Sequence, residues 1–355
     1  IIFFPNTFLA LTLLGENRIF TGMNPHGKTL SETGELEFIR RIRRFMPPES
    51  ETVIRSVGDD CLVTKSFGKD YILSTTDTFV DGIHFTREHF SFEGIGKRCM
   101  SASVSDIAAM SGIPVYSLVS LSMPPETLCD DALSLFTGLQ KSAGRYRCPV
   151  AGGETTSTTG PVTATVTVIG RVEPDRVVLR SGAMVGDSIY VTGTVGDAMA
   201  GLKACEGSEE GFDALKNKFL SPKANVELSR ALTGSYRITA MIDISDGLAT
   251  DLGHICEESR CGAEVFADLI PVSNEFLQFS ERYKLDTVDF ALSSGEEFEL
   301  LFTSNDTGIH DKLTLGGHSV TRIGTVLEYS DGIKLRKVNN QTESLKSKGY
   351  EHFST

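Results

Sequence analysis

Residues 161–171 read PVTATVTVIGR, and their pattern indicates the kind of sheet that the chain forms. Small apolar residues alternate in it with threonine, so each set faces one side of an extended chain. The apolar positions are Val162, Ala164, Val166 and Val168. Strict alternation with one semi-polar face is typical of a strand in an antiparallel or mixed sheet.

Helices and strands flank this strand in mixed order. Strands are predicted at 71–80, 115–123, 188–194, 240–244, 263–269, 298–303 and 320–327, and helices at 35–46, 92–110, 127–146, 197–205 and 247–258. Because this order lacks a regular βαβ cadence, we predict two α+β domains, which also suits 355 residues. We place them at 34–172 and 173–355, and we expect 1–33 to be a disordered or non-native extension.

Composition excludes several classes of protein. Lys plus Arg number 34 and Asp plus Glu 47, giving a net charge of −13, which argues against a nucleic-acid partner. The seven cysteines are scattered without a CxxC pair, so a reducing, cytoplasmic setting is expected. The longest apolar stretch, residues 8–14, is too short to span a bilayer, so no membrane association is expected.

Acidic residues recur in apolar or glycine-containing segments of the sequence. They are Asp59, Asp60, Asp77, Asp106, Glu154, Asp243 and Asp246. Any one of them alone is typical of a turn or a helix N-cap. Several together, with no Lys or Arg within three residues, indicate a site for divalent cations, because burying unpaired charge is costly.

One motif is weak in its context. Residues 22–29 (GMNPHGKT) match the GxxxxGK[ST] pattern of a phosphate-binding loop. The motif functions between a strand and a helix, and neither is predicted around these residues. We therefore favour a chance match.

Eight segments together resemble one enzyme family, and they occur in its order from about residue 34 to residue 353. They are GDDCLV (58–63), STTDTFVDGIHF (74–85), SVSDIAAMSGIP (103–114), AGGETT (151–156), RSGAMVGDSIYVTGTVGDAMAGL (180–202), IDISDGLATDLGHI (242–255), SGEEFELLFT (294–303) and GYEHF (349–353). The family is thiamine-monophosphate kinase, of the aminoimidazole-ribonucleotide-synthetase-like superfamily. The resemblance implies two α/β-layered domains and a homodimer whose N-terminal domains form a β-barrel.

The resemblance also implies the reaction and its residues. ATP would phosphorylate thiamine monophosphate to thiamine diphosphate with several Mg²⁺ ions bound. The implied metal ligands are Asp59, Asp60, Thr75, Thr76, Asp77, Asp106, Glu154, Asp243 and Asp246. The implied ATP contacts are Tyr146, Gly153, Glu154, Arg180 and Ser245, and the implied substrate contacts are His84, Glu296 and Tyr350. Glu154 stands where the family usually has Asp, so its added methylene shifts that ligand.

The chemistry requires no general base or covalent nucleophile. The acceptor is a phosphate monoester, which is largely ionised at pH 7. Direct transfer then depends on in-line positioning and on relief of repulsion between two anions. Two alternatives remain open: another ATP-dependent phosphotransferase or synthetase of the superfamily, and a metal–nucleotide binding protein without turnover.

Overall fold

The computed structural model describes residues 30–43, 49–56, 58–66, 68–208 and 210–345. The first half contains α1 (Leu30–Thr33), α2 (Glu35–Arg43), β1 (Val53–Arg55), β2 (Leu62–Lys65), β3 (Tyr71–Val80), α3 (Phe92–Ala109), β4 (Ile113–Met123), α4 (Cys129–Arg145), β5 (Val150–Ser157) and β6 (Thr163–Val172). These six strands form one sheet in the order β1-β2-β3-β6-β4-β5. Only the β4–β5 pair is parallel among them.

The second half forms a separate sheet. Its elements are β7 (Ser188–Thr192), α5 (Asp197–Glu206), α6 (Asp213–Leu220), α7 (Val226–Ser235), β8 (Ile238–Asp243), α8 (Leu248–Ser259), β9 (Gly262–Phe266), α9 (Asn274–Tyr283), α10 (Thr287–Ser293), β10 (Leu300–Ser304), β11 (Lys312–Leu315), β12 (His318–Leu327), β13 (Ile333–Arg336) and β14 (Thr342–Ser344). The strand order is β14-β13-β9-β12-β7-β10-β8, and β11 pairs with β12. The sheet is mixed, since β13 runs parallel to β9.

The alternating stretch behaves as its pattern predicts. Ala164, Val166 and Val168 of β6 are fully buried, whereas the threonines between them lie on the outer face. The predicted mixture of helices and strands is confirmed, and the predicted bounds of β3, residues 71–80, are those of the structure. Helix α2 ends at Arg43 in the described residues, and residues 44–46 of its predicted range lie outside them.

Helix α3 lies between the two halves of the chain. Ser91 caps it by accepting the N–H of Gly94 at 3.1 Å. The helix packs on α4, β3 and β6 of the first half and on α7 and β8 of the second. Because it is covered on all sides, its sequence is apolar or small around most of its circumference. This position brings its polar residues to the junction of the halves.

The six-stranded sheet is open in the described part of the chain, with β1 and β5 at its edges. One chain alone therefore does not form the closed barrel that the resemblance implies. Leu62, Tyr116 and Leu118 project from the outer face and are 41%, 38% and 42% exposed. Across the described residues, no helix is both long and apolar enough to cross a membrane.

Candidate active site

Three carboxylates converge where the two halves meet. Asp60 follows β1, Asp106 lies near the end of α3, and Asp243 ends β8. One carboxylate oxygen from each lies within 4.8 Å of the others, so the three could hold a metal ion. These residues are 46 and 137 positions apart in the chain, so only the fold brings them together.

Hydroxyl groups hold two of these carboxylates in place. Thr75 Oγ1 donates to Asp106 Oδ2 at 2.5 Å, and Ser105 Oγ donates to Asp243 Oδ2 at 2.5 Å. Asp77 lies two residues after Thr75 on the same face of β3, and its charge acts on Asp106 and Asp243. Thr75 and Asp77 therefore belong to the cluster that the sequence predicted.

Burial makes full ionisation of this cluster costly. Burial first, and then the charges of Asp77, Asp243 and Asp60, raise the pKa of Asp106 well above its ordinary value. Burial and the charge of Asp60 raise the pKa of Asp243 to about 7. Carboxylates placed this close favour a bound cation that would relieve their repulsion.

Arginines compensate one side of the cluster. Arg180 donates from Nε and Nη2 to the two oxygens of Asp60, at 3.2 and 3.0 Å, and its backbone N–H donates to Asp59. Arg55 Nε donates to the other oxygen of Asp59 at 3.1 Å. The absence of nearby cations in the sequence was thus misleading, because Arg180 comes from 120 residues away. Asp59 lies outside the three-carboxylate group and contacts these arginines instead.

A second acidic group lies beside the first, at the start of α8. Ligand atoms of Asp246, Asp251 and His254 lie within 4.8 Å of one another. Asp251 Oδ2 also accepts the backbone N–H groups of Ser245, Asp246 and Gly247 at 3.1–3.2 Å, which fixes the loop. Burial first, and then the charge of Arg180, lower the pKa of His254, which favours the neutral form of its imidazole.

Sequence reasoning missed Asp251 and His254. Both lie within the segment IDISDGLATDLGHI that carried the resemblance, and they are three residues apart on α8. That spacing places two side chains on one helix face, directly after the loop that holds Asp246. The signal was therefore available in the helical spacing.

Two implied metal ligands lie away from the cluster in this chain. Thr76 points to the outer face of β3, where its hydroxyl hydrogen-bonds Thr167 Oγ1 at 2.9 Å. Glu154 is exposed on β5, three strands from β3, or roughly 14 Å at the usual strand spacing. Its Oε1 accepts the N–H of Thr155.

The implied nucleotide contacts lie in several places. Gly153 adjoins a groove of about 380 Å³ that Val119, Leu121, Phe136 and Glu154 also line. A Cβ at Gly153 would lie 1.8 Å from the Val119 carbonyl oxygen, so the close β4–β5 pairing requires glycine there. Tyr146 uses its hydroxyl between the halves, donating to Ser101 Oγ and accepting the N–H of Ala224.

The implied substrate contacts also lie in different parts of the chain. His84 follows β3, and its Nδ1 accepts the N–H of Val80 at 3.1 Å. Glu296 lies in the loop before β10, where its carboxylate forms an ion pair with the buried Arg98. Tyr350 and the phosphate-loop pattern at 22–29 lie outside the described residues.

Comparisons with known proteins agree with this two-part arrangement. The model of the AIR synthase related protein, N-terminal domain, matches residues 58–172, and that of the AIR synthase related protein, C-terminal domain, matches 184–333. The thiamine-monophosphate kinase of Aquifex aeolicus is 31% identical, over 91% of this chain and 99% of the relative. That of Haemophilus influenzae is 36% identical, over 76% and 81%.

Solved structures give the same result. A structure described as AaThiL complexed with AMPPCP and TMP matches with a TM-score of 0.81 and 29% identity, over 92% of this chain and 99% of that chain. The hydrogenase maturation protein HypE in complex with ATP matches with a TM-score of 0.61. Since its identity is 18%, that likeness shows a shared fold alone.

Proposed function

This chain belongs to the thiamine-monophosphate kinase family, and from that membership we propose that it transfers the γ-phosphoryl group of ATP to thiamine monophosphate. The products are thiamine diphosphate and ADP. One observation carries the assignment to this chain's own residues: Asp60, Asp106 and Asp243 converge between two halves that together match nearly the whole of a relative. The relative solved with AMPPCP, an ATP analogue, and TMP supports both substrates.

We propose that Mg²⁺ binds this acidic site. The donors fit, because Mg²⁺ prefers oxygen ligands such as carboxylates, and the buried carboxylates repel one another without a cation. Asp60, Asp106 and Asp243 would hold it, with Asp77 and Thr75 beside them. When bound, Mg²⁺ neutralises charge on the phosphates and lowers the repulsion between the two anionic substrates.

The protein's own residues then perform the positioning. Arg180 pairs with Asp60 through Nε and Nη2, and it remains a proposed contact of an ATP phosphate. The ionised acceptor phosphate is itself the nucleophile, so the reaction needs alignment and charge stabilisation from the site without a base. The remaining proposed metal ligands are Asp59, Thr76, Glu154 and Asp246. The remaining proposed ATP contacts are Tyr146, Gly153 and Ser245. His84, Glu296 and Tyr350 remain proposed contacts of thiamine monophosphate.

We also propose that a second copy of the chain covers the open face of the six-stranded sheet. Leu62, Tyr116 and Leu118 would lie in that contact, together with the outer-face residues Thr78, Thr165 and Thr167. An uncovered face with these apolar side chains is typical of an interface. The barrel of the predicted fold would then be completed by two chains.

Two further predictions accompany this proposal. The domain division at residues 34–172 and 173–355, preceded by the extension 1–33, stays a prediction.

All seven cysteines of the sequence lie in the described part of the chain, and each is a free thiol. That supports a reducing, cytoplasmic setting.

The decisive experiment follows ADP release from Mg-ATP with and without thiamine monophosphate, with chromatography of the thiamine product. We expect acceptor-dependent ADP release matched by thiamine diphosphate, and loss of both in EDTA. Turnover with another phosphate acceptor alone would favour a different reaction of the superfamily. Binding of ATP with no product from any acceptor would indicate a binding protein without turnover.

A further inference from the structure

Arg98 is an unusual residue for the centre of a helix packed between two halves. It is 1% exposed and is among the largest fully buried side chains of the described residues. A buried guanidinium is costly unless its charge and its donors are satisfied. The groups that contact the Arg98 guanidinium therefore indicate the role of this residue.

Three groups surround the guanidinium. Its Nη1 donates to the carbonyl oxygen of Phe219 at 2.5 Å, at the end of α6. Its Cζ lies 4.7 Å from the ring centroid of Phe219 and 5.4 Å from that of Phe90, within the range of cation–π contacts. Its Nη2 forms an ion pair with Glu296 Oε2. Two rings and a carbonyl thus surround the guanidinium, and its Nη2 faces the Glu296 carboxylate.

Glu296 is held from the other side as well. Its backbone has φ +60°, a left-handed conformation that is strained for a residue with a side chain. Its N–H donates to the carbonyl oxygen of Ser245 at 2.7 Å, in the loop that leads to Asp246. The Glu296 side chain is nevertheless 38% exposed, whereas Arg98 is buried. The ion pair therefore holds a carboxylate that still faces solvent.

Helix α3 places this pair relative to the acidic cluster. Asp106 follows Arg98 by eight residues on the same helix, which is about 12 Å along the axis. An elongated acceptor could therefore lie along α3, with its phosphate near Asp106 and its organic part near Glu296. The exposed Glu296 carboxylate suits a cationic group on the organic part of a phosphate ester.

We propose that Arg98 is a positioning residue that orients Glu296 toward the organic part of the acceptor. The inference rests on the proposed function, because it takes Glu296 as a contact of thiamine monophosphate. Arg98 acts through Glu296 and does not touch the substrate. Its planar, rigid guanidinium fixes one orientation of the carboxylate before the substrate arrives.

The test combines single and double variants of the full-length protein. Arg98→Met should raise the KM for thiamine monophosphate about tenfold, because a Glu side chain free to rotate must be ordered on binding. The KM for ATP should stay within about twofold. Arg98→Lys, which keeps the charge but lacks the planar fork, should recover part of the loss. In a Glu296→Gln background, Arg98→Met should add less than about twofold.

Arg230→Met is the matched control. Arg230 also links the halves, pairing with both oxygens of Glu173 and donating to the carbonyl oxygen of Ser111, and these contacts involve neither Glu296 nor a carboxylate of the acidic cluster. The Arg230→Met variant should lower the melting temperature and leave the KM values for ATP and thiamine monophosphate unchanged. If Arg98→Met does not fold, Arg98→Lys alone and with Glu296→Gln gives the same comparison.

The outcomes separate this inference from the proposed function. Wild-type protein that does not phosphorylate thiamine monophosphate refutes the function. Active wild-type protein in which the Arg98 and Glu296 effects multiply independently, or in which both KM values rise equally, refutes only the positioning role. Calorimetric titration with thiamine monophosphate, without ATP, gives a binding readout that needs no turnover.

Discussion

Replacing Asp59 by Asn should stabilise the metal-free protein, and the gain should grow with pH. The Asp59 side chain is fully buried, and its two oxygens accept from Arg55 and from the backbone of Arg180. Despite these contacts, burial first, and then the charge of Asp60, raise its pKa from 3.8 to about 7. Asn keeps the shape and one acceptor oxygen but carries no charge.

The size and sign of the effect follow from proton linkage. A raised pKa means that the folded chain binds more protons than the unfolded chain between pH 3.8 and about 7, so stability falls as pH rises through that window. Above pH 7 the ionised carboxylate costs about 4 kcal/mol, and at pH 5.5 the cost is about 2 kcal/mol. The Asp59→Asn variant avoids the cost at both pH values. The gain should therefore be about 2 kcal/mol larger at pH 8.5 than at pH 5.5.

Urea unfolding in EDTA at pH 5.5 and pH 8.5 measures the difference directly. Asp311→Asn is the control, because Asp311 is an exposed partner of Arg322 and its loss should change stability by less than about 0.5 kcal/mol at either pH. An Asp59→Asn gain that does not depend on pH would refute the reasoning. A loss at pH 8.5 would show that Arg55 and Arg180 outweigh the burial of the charge.

Three further predictions concern the first sheet. Gly153→Ala should cost at least about 2 kcal/mol in unfolding experiments, because its Cβ would lie 1.8 Å from the Val119 carbonyl oxygen. Gly152→Ala, whose Cβ meets only the Leu118 side chain at 3.4 Å, should be nearly neutral. Glu154→Ala should lower kcat at least about tenfold and Glu154→Asp less than about threefold; equal kcat values for Glu154→Ala and wild type would remove Glu154 from the metal ligands. Leu118→Glu should convert a dimer to a monomer in light scattering, because it places charge in the proposed contact, and a persistent dimer would contradict that interface.

The local sequence pattern predicted strands correctly where one face of the strand is buried. The alternation of β6 and the apolar run of β3 fixed those strands, because a period of two is visible without tertiary information. Strand β5 (VAGGETTS) went unpredicted, since its glycines and exposed side chains give no period. It is a strand because β4 pairs with it in parallel, an interaction that no local sequence encodes.

The candidate site was predictable as a set of residue types but not as an arrangement. Acids in apolar segments indicated a cation site, and Asp60, Asp106 and Asp243 do converge. The same pattern gave no way to separate Thr75, which faces the cluster, from Thr76, which faces outward, without the register of β3. The role of Arg180 was equally hidden, because its contact with Asp60 spans 120 residues.

If the acidic cluster holds the cation as proposed, the reaction needs both halves of the chain. Asp60 and Asp106 come from the first half and Asp243 from the second, and the Ser105 hydroxyl joins α3 to Asp243. Either half alone would expose its carboxylates to water, where they repel weakly and hold a cation weakly. Docking of α3 between the halves buries them, raises the pKa values of Asp106 and Asp243, and makes a cation the favourable partner. Folding therefore brings the carboxylates together and raises the free energy of their ionised forms, and a bound cation lowers it again. Cation affinity should then depend on the stability of the contact between the two halves.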